Sequence, residues 1–132
     1  MKFKYILFIM LLSVVSSCDT VKDKPQTPYE ILKECEERLK QNPKDPEWWY
    51  YQACAYLELK QYEKAVTSAT QGIEIDKNAP MLYNVRGDSY YMLKRYSDAK
   101  KDFETLHRLS PAWDNALDKI EATNDKLKES AE

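Results

Sequence analysis

The stretch Tyr56-Leu57-Glu58-Leu59-Lys60-Gln61-Tyr62-Glu63-Lys64-Ala65 returns 34 residues later as Tyr90-Tyr91-Met92-Leu93-Lys94-Arg95-Tyr96-Ser97-Asp98-Ala99. Tyr56, Leu59, Lys60, Tyr62 and Ala65 recur unchanged as Tyr90, Leu93, Lys94, Tyr96 and Ala99, and Pro46 recurs as Pro80. The echo therefore begins at a helix boundary and runs through a turn into a second helix. A fixed period of this size marks units that are each one helix pair, able to bury their apolar faces only against their neighbours. The repeated positions are those that set how helices pack and carry no catalytic motif, so the function to expect is binding.

Working outward, proline placement draws the helix ends. Pro28, Pro43, Pro46, Pro80 and Pro111 fall between apolar-periodic stretches and never inside one, because proline suits the first helical turn and disrupts a helix interior. Thr27-Pro28-Tyr29-Glu30 reads as a capping box, and Asp45-Pro46 and Ser110-Pro111 repeat the cap-then-proline pattern. Six helices are expected, at 28–41, 46–59, 62–75, 80–93, 96–109 and 112–129. Each carries an apolar stripe at helical spacing, for example Tyr62, Ala65, Val66, Ala69 and Ile73, or Tyr96, Ala99, Phe103, Leu106 and Leu109. The helix from Pro46 is apolar around most of its circumference, as a middle layer requires, whereas the last has a narrow stripe of Trp113, Ala116, Leu117, Ile120 and Leu127, as an end cap requires.

Tyr83-x2-Arg86-Gly87-x2-Tyr90, followed by Ala99-x3-Phe103 and then Pro111, resembles the tetratricopeptide repeat (TPR). The preceding unit is similar at Trp49, Ala53, Tyr56, Ala65 and Ala69, but Gln52 replaces an apolar residue, Gly72 an alanine and Lys77 the proline. Tyr29 to Asp45 resembles a lone second helix, with Arg38 where a small residue is usual. The resemblance implies an all-α fold, a right-handed α-solenoid of helical hairpins. Its domain spans 28–130: a half repeat 28–45, repeats 46–79 and 80–113, and a capping helix 112–130. Ala53 and Gly87 on first helices are expected to meet Ala65 and Ala99 on second helices, since small residues let backbones approach. Both glycines of the chain, Gly72 and Gly87, fall at small-residue positions.

The resemblance also implies that an extended peptide or partner helix is held on the face lined by first helices. By register those positions are Glu47, Tyr50, Tyr51, Cys54, Leu57 and Glu58, then Met81, Asn84, Val85, Asp88, Tyr91 and Met92. Tyr50, Cys54, Glu58, Asn84, Asp88 and Tyr91 are the candidate partner-binding residues; Tyr51, Leu57 and Val85 read as core, and Trp48 and Trp113 as packing and capping residues. The aromatic, Met and acidic mixture suits an apolar or basic segment. The Lys and Asn arrangement with which some family members clamp a terminal carboxylate is absent, since Tyr50 and Cys54 occupy two of its places.

The first 17 residues stand apart from the rest. Lys2 and Lys4 precede an apolar run, Tyr5 to Val15, that is too short to span a bilayer and has the layout of a secretory signal. Val15-Ser16-Ser17-Cys18 resembles the bacterial lipobox, which implies cleavage before Cys18 and its lipidation by more than one acyl chain, palmitate among them, enough for stable anchoring. The alternative is an ordinary signal peptide cut after Ser17 that leaves Cys18 a free thiol. Asp19 to Thr27 then reads as a polar tether, with the folded part held at the envelope membrane, inner or outer.

Charge and chemistry exclude other classes. The chain has 20 basic and 22 acidic side chains; without Lys2 and Lys4 the balance is 18 to 22, or −4. Nucleic-acid binding needs clustered cations that this balance does not offer. His107 is the only histidine and sits near a helix C-terminus, with no ligand-spaced His, Cys or acidic cluster beside it. No phosphate loop or nucleophile motif is present, so neither an enzyme, a cofactor nor a metal is expected. Cys35 and Cys54 fall on adjacent helices and could be bridged or remain separate thiols. The expected function is a membrane-anchored scaffold or adaptor of the bacterial cell envelope that binds another envelope protein. The alternative is an accessory structural subunit of an envelope assembly or secretion complex, engaged through outer helix faces.

Overall fold

The structure, a computed structural model, describes residues 27–131. The signal peptide 1–17, the lipidation site Cys18 and nearly all of the tether lie outside the described residues. Six helices run in order: α1 (Pro28–Gln41), α2 (Pro46–Glu58), α3 (Tyr62–Ile75), α4 (Pro80–Met92), α5 (Tyr96–Leu109) and α6 (Ala116–Glu129). No strand occurs among the described residues. Each helix packs against the next, and α2 also packs against α4. This is a TPR-like solenoid of helical hairpins.

The caps explain the starts. The Thr27 hydroxyl accepts from the Glu30 N–H while the Glu30 carboxylate accepts from the Thr27 N–H at 2.8 Å. The Asp45 carboxylate accepts from the Glu47 N–H at 3.1 Å ahead of Pro46. α6 departs from expectation, starting at Ala116 rather than 112. Pro111 opens a tight turn instead of a helix: the Trp113 N–H donates to the Ser110 carbonyl at 3.0 Å, and the Ala116 N–H to the Trp113 carbonyl at 3.1 Å. Trp113 is thereby turned onto the core formed by Ala99, Phe103, Leu106 and Ala116.

Both hairpins turn with a left-handed residue. Lys60 (φ 59°) and Lys94 (φ 60°) follow the ends of α2 and α4. The Gln61 N–H donates to the Tyr56 carbonyl at 2.8 Å and the Lys60 N–H to the Leu57 carbonyl at 3.0 Å; Arg95 to Tyr90 and Lys94 to Tyr91 repeat this at 2.9 and 3.0 Å. These are Schellman motifs, which satisfy the last carbonyls of each helix.

Small residues sit where close approach is needed. Ala53, Ala65 and Ala99 are fully buried, and a Cβ on Gly87 would lie 2.6 Å from the Phe103 ring. One core joins Ala53 of α2, Ala69 and Ile73 of α3, and Leu82 and Val85 of α4. The second joins α5 to α6, with Tyr83, Tyr90 and Tyr91 of α4 packed against it. α4 thus contributes to both, as a central layer must. At the near end Cys35 and Leu39 of α1 are buried, and Arg38, too large for a close contact, instead lies over the Trp48 ring at 5.1 Å.

Candidate partner-binding face

Because α2 and α4 touch each other as well as their own hairpin partners, their remaining sides form one face. On α2 the aromatic run gives this face its shape. Trp48 meets Tyr51 edge-on at 5.5 Å, and Tyr50 packs beside Tyr51 at 5.6 Å. Tyr50 is half-buried against the first core. Tyr51 departs from the core role expected for it: it is 39% exposed, and its hydroxyl donates to the Glu47 carboxylate at 2.8 Å. Val85 and Leu57 do join the core.

Where the N-terminal ends of α2 and α4 meet, a cleft of about 320 Å³ opens, walled by Glu47, Tyr50 and Tyr51 on one side and Asp76, Met81 and Leu82 on the other. Leu82 is its buried floor, 1% exposed, and Met81 is an accessible edge, 44% exposed. Of the six candidate residues only Tyr50 lines this cleft. Cys54 lies half-buried against the first core, and Glu58 is exposed at the far end of α2.

Asn84 and Asp88 are brought together, and their partner comes from within the chain. The Lys119 ammonium of α6 donates to Asn84 Oδ1 at 2.7 Å and to the two Asp88 oxygens at 2.6 and 2.8 Å, with the Phe103 ring 5.2 Å below it. Tyr91 packs half-buried on the second core and edge-on to Tyr96 at 5.3 Å. Sequence reasoning missed Lys119 because α6 lies outside the 34-residue echo. It missed Asp76 and Leu82 because one lies on a loop and the other reads as core.

The titratable groups here are tuned away from reactivity. Burial pushes the Tyr50 hydroxyl up to about 12, and its interaction with Cys54 adds to this. The Cys54 thiol is raised by burial, which outweighs the Tyr50 hydroxyl beside it, and the Asp88 charge raises it further. Such a thiol is a poor nucleophile at neutral pH. Cys35 and Cys54 are unbridged. Among the described residues no group of three His, Cys, Asp or Glu is placed to hold a metal ion, and no helix is long and apolar enough to cross a membrane. His107 is only half exposed, its Nδ1 buried without a hydrogen-bond partner among the described residues. What the face offers is shape, aromatic surface and carboxylates.

Residues 46–79 and 80–113 each match the sequence profile of the tetratricopeptide repeat. The chain is similar to the Hsp70-Hsp90 organising protein of Plasmodium falciparum (isolate 3D7), with 32% identity over 111 residues that cover 77% of this chain and 20% of that protein. It spans a fifth or less of the length of the curated relatives it matches. Among solved structures it is similar to the Arabidopsis OM64 TPR domain, with a TM-score of 0.73, 26% identity and coverage of 74% of this chain and 81% of that one. It is also similar to the second TPR domain of human RPAP3 in complex with the HSP70 peptide SGPTIEEVD, with a TM-score of 0.70, 24% identity and the same two coverages. With both repeats matched over more than half its length and the helix pairs stacked as those repeats require, the chain belongs to the tetratricopeptide repeat family.

Proposed function

We propose that this protein is a protein–protein interaction module that holds a polypeptide segment of a partner on the α2–α4 face, and that it does so as a lipid-anchored scaffold or adaptor of the bacterial cell envelope. The observation that carries the first half is the cleft at Tyr50, an apolar floor with an aromatic wall between the first helices of the two repeats. The human RPAP3 domain of similar fold holds an HSP70 peptide, which supports a peptide as the class of partner. Tyr50, Cys54, Glu58, Asn84, Asp88 and Tyr91 are the proposed contact positions, with Asn84 and Asp88 reached where a partner group joins or displaces Lys119. The second half rests on the basic start, the short apolar run and Val15-Ser16-Ser17-Cys18.

Two full repeats make a short face, so a modest affinity supplemented by tethering is expected, because anchoring raises effective concentration. Crosslinking in intact cells, with Tyr50→Ala plus Asn84→Ala as the control, tests the face: the double variant should lose its partner while keeping its helical content. If every crosslinked partner persists in a folded double variant, the face assignment is wrong. Cys18→Ser should move the protein from the membrane to the soluble fraction.

A second reading is an accessory subunit engaged through outer helix faces, for which Leu117, 59% exposed on α6, is the accessible apolar position of the last helix. It predicts that Leu117→Lys releases the protein from its assembly while changes at Tyr50 do not.

A further inference from the structure

The cleft between α2 and α4 combines an apolar floor with one sign of charge. Glu47 and Asp76 line it, and among the described residues no lysine or arginine does. Glu47 accepts from the Tyr51 hydroxyl and Asp76 from the Asn78 N–H at 2.9 Å, but neither is in an ion pair among the described residues. An ionised carboxylate has about four acceptor sites, so both retain capacity toward an incoming donor. The N-terminus of α2 is capped by Asp45; that of α4 has no side-chain cap, but its partial charge of roughly +0.5 is outweighed by the two full carboxylate charges.

We propose that this cleft binds a polypeptide segment in which an apolar side chain stands next to lysine or arginine. The apolar side chain lies on Leu82 and Met81, and the cation meets Glu47 and Asp76. This rests on the partner-binding reading of the α2–α4 face and specifies its chemistry. A volume of about 320 Å³ is at the low end for ligand sites and takes one or two side chains. The tyrosine wall suits a cation as well, since ring faces attract it; the same protein already places Arg38 over Trp48, Lys64 over Tyr56 and Arg95 over Tyr90, at 5.1, 5.4 and 4.5 Å.

Further along the face the protein shows the same recognition carried out internally. The Lys119 ammonium is received by Asp88 and Asn84 above an aromatic ring, so one acidic stretch of the face is satisfied within the chain. The stretch at Glu47 and Asp76 has the same chemistry and is open. An acidic segment such as SGPTIEEVD, held by the human RPAP3 domain, would meet two carboxylates here and no compensating cation.

The test uses the full-length chain in a non-ionic detergent and three fluorescent synthetic peptides with one apolar centre, flanked by lysines, serines or glutamates. Anisotropy titration should rank lysine over serine over glutamate, with about a tenfold advantage for lysine over serine that disappears at high salt. Glu47→Gln with Asp76→Asn should remove that tenfold and leave the serine peptide unchanged, while Met81→Ser should weaken all three together. A preference for the glutamate peptide, or an unaltered lysine preference in the Glu47→Gln, Asp76→Asn variant, overturns this inference while leaving peptide binding intact. Failure of all three peptides overturns the broader peptide-binding reading with it. Self-association of the peptide-free protein that Met81→Glu abolishes would assign the cleft to a second copy of the chain and likewise overturn it.

Discussion

Arg86 of α4 and Asp102 of α5 form a two-pronged ion pair, Nε and Nη2 each 2.8 Å from a carboxylate oxygen, with the side chains only 17% and 6% exposed. The preceding repeat has Gln52 and Ser68 at the same two places, 34 residues earlier, hydrogen-bonded at 2.7 Å. Each hairpin is therefore closed by one polar link between its first and second helix. In the second unit Arg86 also donates to Thr70 of α3 at 3.2 Å, so its link spans three helices. The Gln52 that departs from the apolar family pattern is explained by Ser68.

Breaking the charged link should cost far more than breaking the neutral one. Asp102→Asn or Arg86→Met leaves a buried charge unpaired, with an expected loss of about 3–5 kcal/mol. Gln52→Ala is expected to cost about 1 kcal/mol, the scale of one neutral hydrogen bond. Arg86→Met combined with Asp102→Leu should recover most of the stability. Urea unfolding followed by circular dichroism checks all four.

The two glycines should respond differently to alanine. At Gly87 the new Cβ falls 2.6 Å from Phe103 Cε1, on a ring that is 1% exposed and cannot turn aside. Gly87→Ala should destabilise by about 1–3 kcal/mol despite alanine's better helix propensity, and Phe103→Leu in that background should recover part of the loss. At Gly72 the obstacle is the two Leu82 methyls at 2.8 Å. Leu82 is as buried as Phe103, but its methyls end a flexible side chain that borders the cleft and can shift toward it, so a smaller loss is expected. Thermal unfolding of the two single variants compares them.

Lys60 and Lys94 carry a backbone cost that glycine does not. A left-handed non-glycine residue is strained by about 1–2 kcal/mol, and both lysines have φ near 60°. Lys60→Gly and Lys94→Gly should each stabilise the fold by about 1 kcal/mol, a sign opposite to the usual effect of introducing glycine. Denaturant midpoints of the single and double variants are the readout, and the two gains should add.

Alkali should destabilise the fold in part through Cys35. Burial, chiefly, pushes this thiol up from 9.0 to about 11, and the residue is fully buried. Between those values the unfolded chain has lost a proton that the folded chain retains, so stability falls as pH rises across the window and is constant below it. The expected loss from this group is roughly 2–3 kcal/mol by about pH 11. Cys35→Ala should make the fall in stability between pH 9 and 11 shallower, the remainder coming from Cys54 and Tyr50, which burial also raises, and an unchanged slope would rule this cause out.

Much of this molecule is determined locally and can be read without coordinates. The 34-residue echo, the prolines at helix starts and the caps at Thr27 and Asp45 act within one helical turn or between adjacent helices, and the helices begin and end where those signals put them. The exception, α6, is instructive: Ser110-Pro111 is the same local signal, but a turn that sets Trp113 on the second core replaced the first helical turn. The recurring lysines of the echo were visible as a pattern, while their left-handed geometry was not.

The sequence by itself determined that helix pairs stack and which residues pack them. Only the tertiary structure decided which polar groups of the face are left for a partner. That depends on contacts between helices far apart in the chain: Lys119 of α6 reaching back to Asn84 and Asp88, and the loop residue Asp76 meeting Glu47, Tyr50 and Met81 around one cleft. A repeat period specifies the packing of one unit on the next. Occupancy of a surface is set by the side chains that the non-repeating end and the loops bring to it.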